Sequence, residues 1–239
     1  MEAIILAGGL GTRLRSVVND VPKPMALIAG RPFLCWLMDC LAKQGYNHLV
    51  LATGYMHEKV EAFFHDSYRS IAIDYAHETT PLGTGGAIVN ALQHCTDKCV
   101  TVLNGDTLFD IDHHQLCKVF ESNGGSLTIA TRYVNDAGRY GTVEIEDETH
   151  RIVSFHEKNA YSKQGIINGG IYRMHRSLLA NFAPGVAFSF EKDILQQLRE
   201  PIFSYLSDAY FVDIGIPDDY ARAETELKAY IPCQISLPA

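Results

Sequence analysis

Five consecutive apolar residues, Ala3–Ala7, run straight into Gly8-Gly9. A strand buried on both faces and entering a loop reads this way, and parallel sheets are built from such strands. The unit recurs through the first half of the chain. Leu49–Thr53 predicts a second strand, Ile71–Tyr75 an alternating third, and Val100–Leu103 a fourth that ends at Asn104-Gly105-Asp106. Helical spacings lie between them. Phe33, Leu37 and Leu41 predict a helix over about 32–44, stopped by Gly45. Val60, Phe63 and Phe64 mark the apolar side of another, and Gly83–Gly86 opens one that runs to about Leu92. Asp112 and Gln115 have capping-box spacing, predicting a helix to about Glu121 with His113 and His114 exposed in its first turn. Strand and helix in alternation require a parallel sheet with helices on both faces.

Past residue 125 the rhythm changes. Ser126–Tyr133, Thr142–Ile145, Arg151–His156 and Ile167–Arg173 read as strands with little helix between them. Helices follow near 175–181 and 190–199, then a strand at Tyr210–Ile214 and a terminal amphipathic helix marked by Tyr220, Leu227 and Ile231. The fold class is α/β: a Rossmann-like, mixed but mostly parallel sheet with helices on both faces. No linker composition divides the chain, so 1–239 reads as one domain, with a nucleotide-binding half at 1–125 and a second ligand wall at 126–239.

A net charge of −8 and the lack of any Lys/Arg cluster exclude a nucleic-acid partner, whose phosphates demand a basic face. The longest apolar runs are strand-sized, far below the ~18 residues of a membrane span, so no membrane partner is expected. The first residues show no basic leader or cleavage site, which predicts a cytoplasmic protein. The six cysteines sit in apolar segments without a CxxC pair, as buried reduced thiols do.

Leu6-Ala-Gly-Gly-Leu-Gly-Thr-Arg-Leu14 is the most informative segment. Glycines after a first strand let backbone N–H groups approach phosphate oxygens, although a tight strand–helix turn would use them as well. It is neither GxGxxG nor a Walker loop. Arg13 lies inside it, and Lys23 follows between Pro22 and Pro24, which stiffen the chain and deny it a helix. Two cations so framed suit a site that holds several phosphates.

These segments resemble the sugar-1-phosphate nucleotidyltransferase family, which shares the loop pattern at Leu6–Leu14 followed by Pro-Lys-Pro. The likeness extends through Asn104-Gly-Asp106, Tyr140-Gly141, Glu157-Lys158, Asn168-Gly-Gly170 and Val212-Asp-Ile-Gly215. Within the family, Pro81–Ala87, Ser189-Phe-Glu-Lys-Asp193 and Asp213–Pro217 look closest to the D-glycero-α-D-manno-heptose 1-phosphate guanylyltransferases. The resemblance implies attack of a sugar 1-phosphate on the α-phosphorus of a nucleoside triphosphate, with GTP the favoured donor, and release of pyrophosphate. It implies that Arg13 holds the leaving pyrophosphate, that Lys23 bridges the two substrates, that the Gly8, Gly9 and Gly11 amides line the triphosphate, and that Leu6 and Thr12 also belong to the nucleotide site. The base would rest on Ala7-Gly8, Gly54 and the Gly83-Thr84 loop. Gly141, Glu157, Lys158, Asn168 and Gly169 would form the sugar-phosphate wall, joined by Glu191 and Lys192.

Asp106 and Asp213 each end a strand, and two converging carboxylates suit Mg²⁺, which takes one or two of them beside phosphate oxygens. Either alone has the ordinary reading of a turn or capping residue. Asp110-Ile-Asp112 matches the metal motif of a nucleotide-sugar glycosyltransferase, and a non-catalytic sugar-nucleotide sensor is a further rival. Capping of the following helix is the simpler reading of Asp112. Arg13, Lys23, Asp106 and Asp213 together favour the nucleotidyltransferase. A homo-oligomer stays open.

Overall fold

The chain organises around its first strand, β1 (Glu2–Leu6). A computed structural model describes residues 1–9, 11, 14, 17–156 and 164–230. A short hairpin follows, β2 (Leu27–Ile28) and β3 (Arg31–Pro32), then α1 (Phe33–Lys43), β4 (His48–Thr53) and α2 (His57–Phe64). Next come β5 (Ser67–Tyr68), β6 (Ile71–His77), α3 (Gly83–Ala91), β7 (Cys99–Asn104), β8 (Thr107–Phe109) and α4 (His113–Asn123). The second half supplies β9 (Leu127–Val134), β10 (Thr142–Ile145), β11 (Ile152–His156), β12 (Gly165–His175), β13 (Ile202–Leu206), β14 (Phe211–Asp213) and α5 (Pro217–Tyr230).

The strands β7, β1, β4 and β6 lie side by side and parallel, with Ile4 opposite both Val50 and Val102. Beyond β7 the sheet continues through antiparallel β12 to β10 and β11, and β9 pairs antiparallel along the other edge of β12, from Gly165 to Met174. Ten strands from both halves thus share one mixed sheet among the described residues. Successive residues of a strand face opposite sides, and the burial follows that period. Ala3, Ile5, Leu49 and Leu51 pack on one side with Phe33, Leu37, Val60, Leu116 and Leu227 of four helices. Ile4, Val50 and Ala52 pack on the other with Ala87 and Ile88 of α3. Helices therefore cover both faces, and each fully buried Ile or Leu contributes roughly 1.5–3 kcal/mol.

Several local expectations are corrected. Phe63 is 51% exposed; Val60 and Phe64 carry the packing of α2. The segment near 175–181 is a short 3₁₀ turn, Arg176–Leu179. The helix expected over 190–199 is a single π turn, Glu191–Leu195, closed by the Gln196 N–H donating to the Glu191 carbonyl at 2.9 Å. Phe190 and Leu195 are both wholly buried, and their spacing fits five residues per closure rather than four. His113 is buried, contrary to expectation. Asp112 caps the Gln115 N–H at 3.0 Å, which turns His113 inward, where its Nδ1 lies 2.9 Å from the Tyr46 hydroxyl. Burial lowers the imidazole pKa to about 4.

Candidate active site

The turn after β7 carries Asp106 into β8, and β14 pairs antiparallel with β8 so that Asp213 stands opposite Thr107. The Ile214 N–H donates to the Asp106 carbonyl at 3.0 Å. This small ladder brings together two carboxylates far apart in sequence. Both face Lys23. Its ammonium donates to Asp106 Oδ2 and lies 3.8 Å from Asp213 Oδ1, and its side chain is 9% exposed. The lysine is held from both sides: Lys23–Met25 is a 3₁₀ turn in which the Met25 N–H donates to the Pro22 carbonyl at 2.8 Å. Gly11, at φ +58°, approaches so closely that a β-carbon there would lie 3.1 Å from Lys23 Cβ. Asp213 Oδ1 also accepts the Gly215 N–H at 2.6 Å, and Asp106 Oδ1 the Thr107 hydroxyl at 3.3 Å. Charges about 4 Å apart near a protein surface interact by about 4 kcal/mol, so the lysine and the two acids fix one another's positions.

The Asn168-Gly169-Gly170 segment is a bulge. Along β12, Asn168 pairs with Thr131 and Ile171 with the adjacent Ala130, leaving the two glycines outside the ladder. Gly170, at φ +75°, passes within 2.7 Å of Asn104 Nδ2 where a β-carbon would sit. The bulge aims Asn168 inward: its Nδ2 donates to the Tyr172 hydroxyl at 2.7 Å and its Oδ1 accepts the Gly170 N–H at 2.9 Å. The Asn168 N–H donates to the Gly141 carbonyl at 2.9 Å, tying β12 to the Tyr140-Gly141 turn.

On the opposite wall, Gly8 and Gly54 abut. A β-carbon on Gly54 would lie 3.1 Å from the Gly8 carbonyl oxygen, and one on Gly8 would lie 3.0 Å from Glu78 Oε1. Glu78 accepts the Leu82 N–H at 2.9 Å, yet burial outweighs that bond and raises its pKa. The N-terminus of α3 is occupied by the chain itself, since the Phe188 carbonyl accepts the Gly85 N–H at 3.0 Å. Thr84 Oγ1 accepts the Phe190 N–H at 2.9 Å and donates to Glu191 Oε2 at 2.5 Å. Glu191 is thereby pinned at the wall.

These walls enclose one cavity of about 870 Å³. Leu6, Ala7, Gly8, Gly9, Gly11, Lys23, Gly54, Gly83, Thr84, Asp106, Gly141, Asn168, Gly169, Glu191 and Asp213 all line it. Lys192 does not; it points to solvent from the π turn. Thr12, Arg13, Glu157 and Lys158 lie outside the described residues. Sequence reasoning did not single out Glu78 or Tyr172, and gave no role to Asn104 of the Asn104-Gly-Asp106 stretch; all three also line the cavity. Glu78 directly follows a strand, the one signal available. The rival Asp-x-Asp motif is engaged elsewhere: Asp110 accepts the Tyr230 hydroxyl and Asp112 caps α4. Neither lines the cavity. No described helix is long and apolar enough to cross a membrane.

Comparison with known proteins gives the same placement. The nucleotidyl transferase family model matches residues 2–229. The chain is 46% identical over 233 residues to the D-glycero-alpha-D-manno-heptose 1-phosphate guanylyltransferase of Aneurinibacillus thermoaerophilus, covering 97% of this chain and 100% of that protein. It is 43% identical to the protein of the same name from Campylobacter jejuni, covering 92% and 97% of the two chains. Among solved structures, HddC from Yersinia pseudotuberculosis complexed with GMP-PN superposes with a TM-score of 0.83 at 37% identity, covering 95% of this chain and 99% of that one. The chain is an enzyme that belongs to the nucleotidyl transferase family.

Proposed function

We propose that the enzyme transfers GMP from GTP to D-glycero-α-D-manno-heptose 1-phosphate, forming GDP-heptose and pyrophosphate. A phosphate oxygen of the sugar attacks the α-phosphorus, the bond from that phosphorus to the β-phosphate's bridging oxygen breaks, and pyrophosphate leaves with the electron pair. The observation that carries the reading is Lys23 held rigidly beside Asp106 and Asp213 at the floor of the cavity. The names of the relatives support the choice of heptose and guanosine.

Two polyanions must meet in such a reaction, so neutralisation and in-line positioning supply most of the catalysis. Lys23 is assigned to the α-phosphate and incoming phosphate, and Arg13 to the leaving group. The Gly8, Gly9 and Gly11 amides are assigned to the triphosphate, the Ala7-Gly8 backbone, Gly54, Gly83 and Thr84 to the base, and Leu6 and Thr12 to the nucleotide site as a whole. Gly141, Glu157, Lys158, Asn168, Gly169 and Glu191 are assigned to the sugar phosphate.

Asp106 and Asp213 offer oxygen donors only and sit together, a donor set that suits a hard divalent cation such as Mg²⁺. These two carboxylates would hold it. Bound there, it would neutralise charge on the phosphates. We take residues 1–239 to act as one catalytic unit in the cytoplasm. The test is incubation of the enzyme with GTP, heptose 1-phosphate and Mg²⁺, with products identified by mass spectrometry. GDP-heptose and pyrophosphate in equal amounts, abolished by chelator, are expected. Release of GDP, or turnover unaffected by chelator, would refute the reading.

A further inference from the structure

Away from the Lys23 centre, three ligand-type side chains converge at the edge of the parallel strands. His57 opens α2, Glu61 follows one helical turn later on the same face, and His77 ends β6. His57 Nδ1 lies 2.8 Å from Glu61 Oε1, and His77 Nε2 lies 3.1 Å from the same oxygen. The ligand atoms of all three residues lie within 4.8 Å of one another. In a tetrahedral zinc site, bonds of ~2.1 Å put donor atoms roughly 3.4 Å apart, so the two contacts to Glu61 are already near that spacing and side-chain adjustment of the order of an ångström would complete the set.

A second feature favours a metal over a simple proton-shared cluster. His77 Nδ1 lies 2.9 Å from the hydroxyl of Thr53, which is wholly buried at the end of β4. Metal-bound histidines characteristically use their other ring nitrogen in such an outer contact, which fixes the ring and leaves Nε2 aimed at the ion. The ring of His77 is also stacked on Tyr75, with centroids 6.1 Å apart and planes 11° apart. All three ligands are partly exposed, so an ion can enter from solvent and keep water in its remaining position.

We propose that His57, Glu61 and His77 form a second cation site, for a first-row transition metal of the Zn²⁺ type. Two imidazoles and one carboxylate select such an ion over Mg²⁺, which prefers oxygen alone. The site lies against the nucleotide wall, since Thr53 precedes Gly54 and His77 precedes Glu78, both cavity residues. Occupancy would clamp the start of α2 to the ends of β4 and β6.

The test uses the untagged full chain in excess Mg²⁺, titrated with Zn²⁺ by calorimetry and with Co²⁺ by visible absorption. One equivalent should bind, with a Co²⁺ spectrum typical of nitrogen ligation. H57A, H77A and E61Q should each weaken binding by about 10-fold or more, and Thr53→Val by about 10–100-fold. The Asp106→Asn variant should bind Zn²⁺ as wild type does. His57 is 45% exposed, so H57A should fold, and circular dichroism checks each variant. Absence of binding to wild type, or binding unchanged in both H57A and H77A, would overturn the proposal.

Discussion

Replacing Gly86 with alanine sets two effects of known size against each other. Gly86 lies in the first turns of α3, where alanine is favoured over glycine by about 1 kcal/mol. A β-carbon there would also lie 2.5 Å from the Val186 carbonyl oxygen and 2.9 Å from Leu82 Cβ. The first contact is with backbone, so no side chain can swing aside to relieve it. The 186–190 segment must lift instead. It is held to α3 by the Phe188 N–H on the Leu82 carbonyl at 2.9 Å, the Gly85 N–H on the Phe188 carbonyl at 3.0 Å and the Phe190 N–H on Thr84 Oγ1 at 2.9 Å. Each bond is worth about 1 kcal/mol, so stretching all three costs up to about 3 kcal/mol. The strain wins by about 2 kcal/mol, or roughly 4–8 °C in Tm for a chain of this size. Lifting the segment also releases Glu191 from Thr84, so KM for the sugar phosphate should rise more than KM for the triphosphate. The assay is thermal melting by circular dichroism beside steady-state kinetics. Gly165→Ala serves as control, because its β-carbon would meet nothing closer than 3.9 Å. A Gly86→Ala variant as stable as wild type, with unchanged kinetics, would refute the argument.

Asp106→Asn and Asp213→Asn should each lower kcat by about 10²–10³-fold while the protein stays folded by circular dichroism; retained turnover would separate these carboxylates from the chemistry. Lys23→Ala should lower kcat more than it raises the triphosphate KM, since charge gathers on the phosphate oxygens as pyrophosphate departs, and a pure KM effect would limit Lys23 to ground-state binding. Stability should fall as pH drops from about 6.5 to 4: the unfolded chain protonates His113 near its ordinary value, whereas the buried imidazole waits until about 4, so protons favour unfolding across that window. His113→Phe should flatten the pH dependence of the urea midpoint between pH 7 and 5, and an unchanged slope would contradict the assignment.

The parallel core was legible because its signal is local. Ala3–Ile5 and Val100–Leu103 are buried on both faces, so their sequence is apolar but for Thr101 and needs no partner to be recognised. The Gly8–Gly11 loop and the framed Lys23 were legible for the same reason, being continuous motifs. Contacts between distant segments were not. Tyr210–Ile214 reads as a strand and holds β14, but β8 has three residues, too few for a period, and it is the pairing of the two that joins Asp106 to Asp213. The glycines at the start of α3 read as the opening of a helix, but not as what they also do, which is make room for Phe188 and Val186, arriving from a hundred residues later. Lys192 illustrates the limit: next to Glu191 in sequence, it leaves the π turn in another direction and faces solvent. Glu78 has no motif, and only the abutting of β1 and β4 loops at Gly8 and Gly54 shows that it borders the cavity.

The most direct test of the proposed function compares kcat/KM for heptose 1-phosphate and mannose 1-phosphate, each with GTP and with UTP, read as pyrophosphate release. The two sugars differ by one CH(OH) unit, and a wall that hydrogen-bonds that hydroxyl can discriminate by up to about 10⁴-fold, whereas mere room for it gives little. GTP with heptose 1-phosphate is predicted to be the best pair by a wide margin. A preference for mannose 1-phosphate, or for UTP with either sugar, would contradict it.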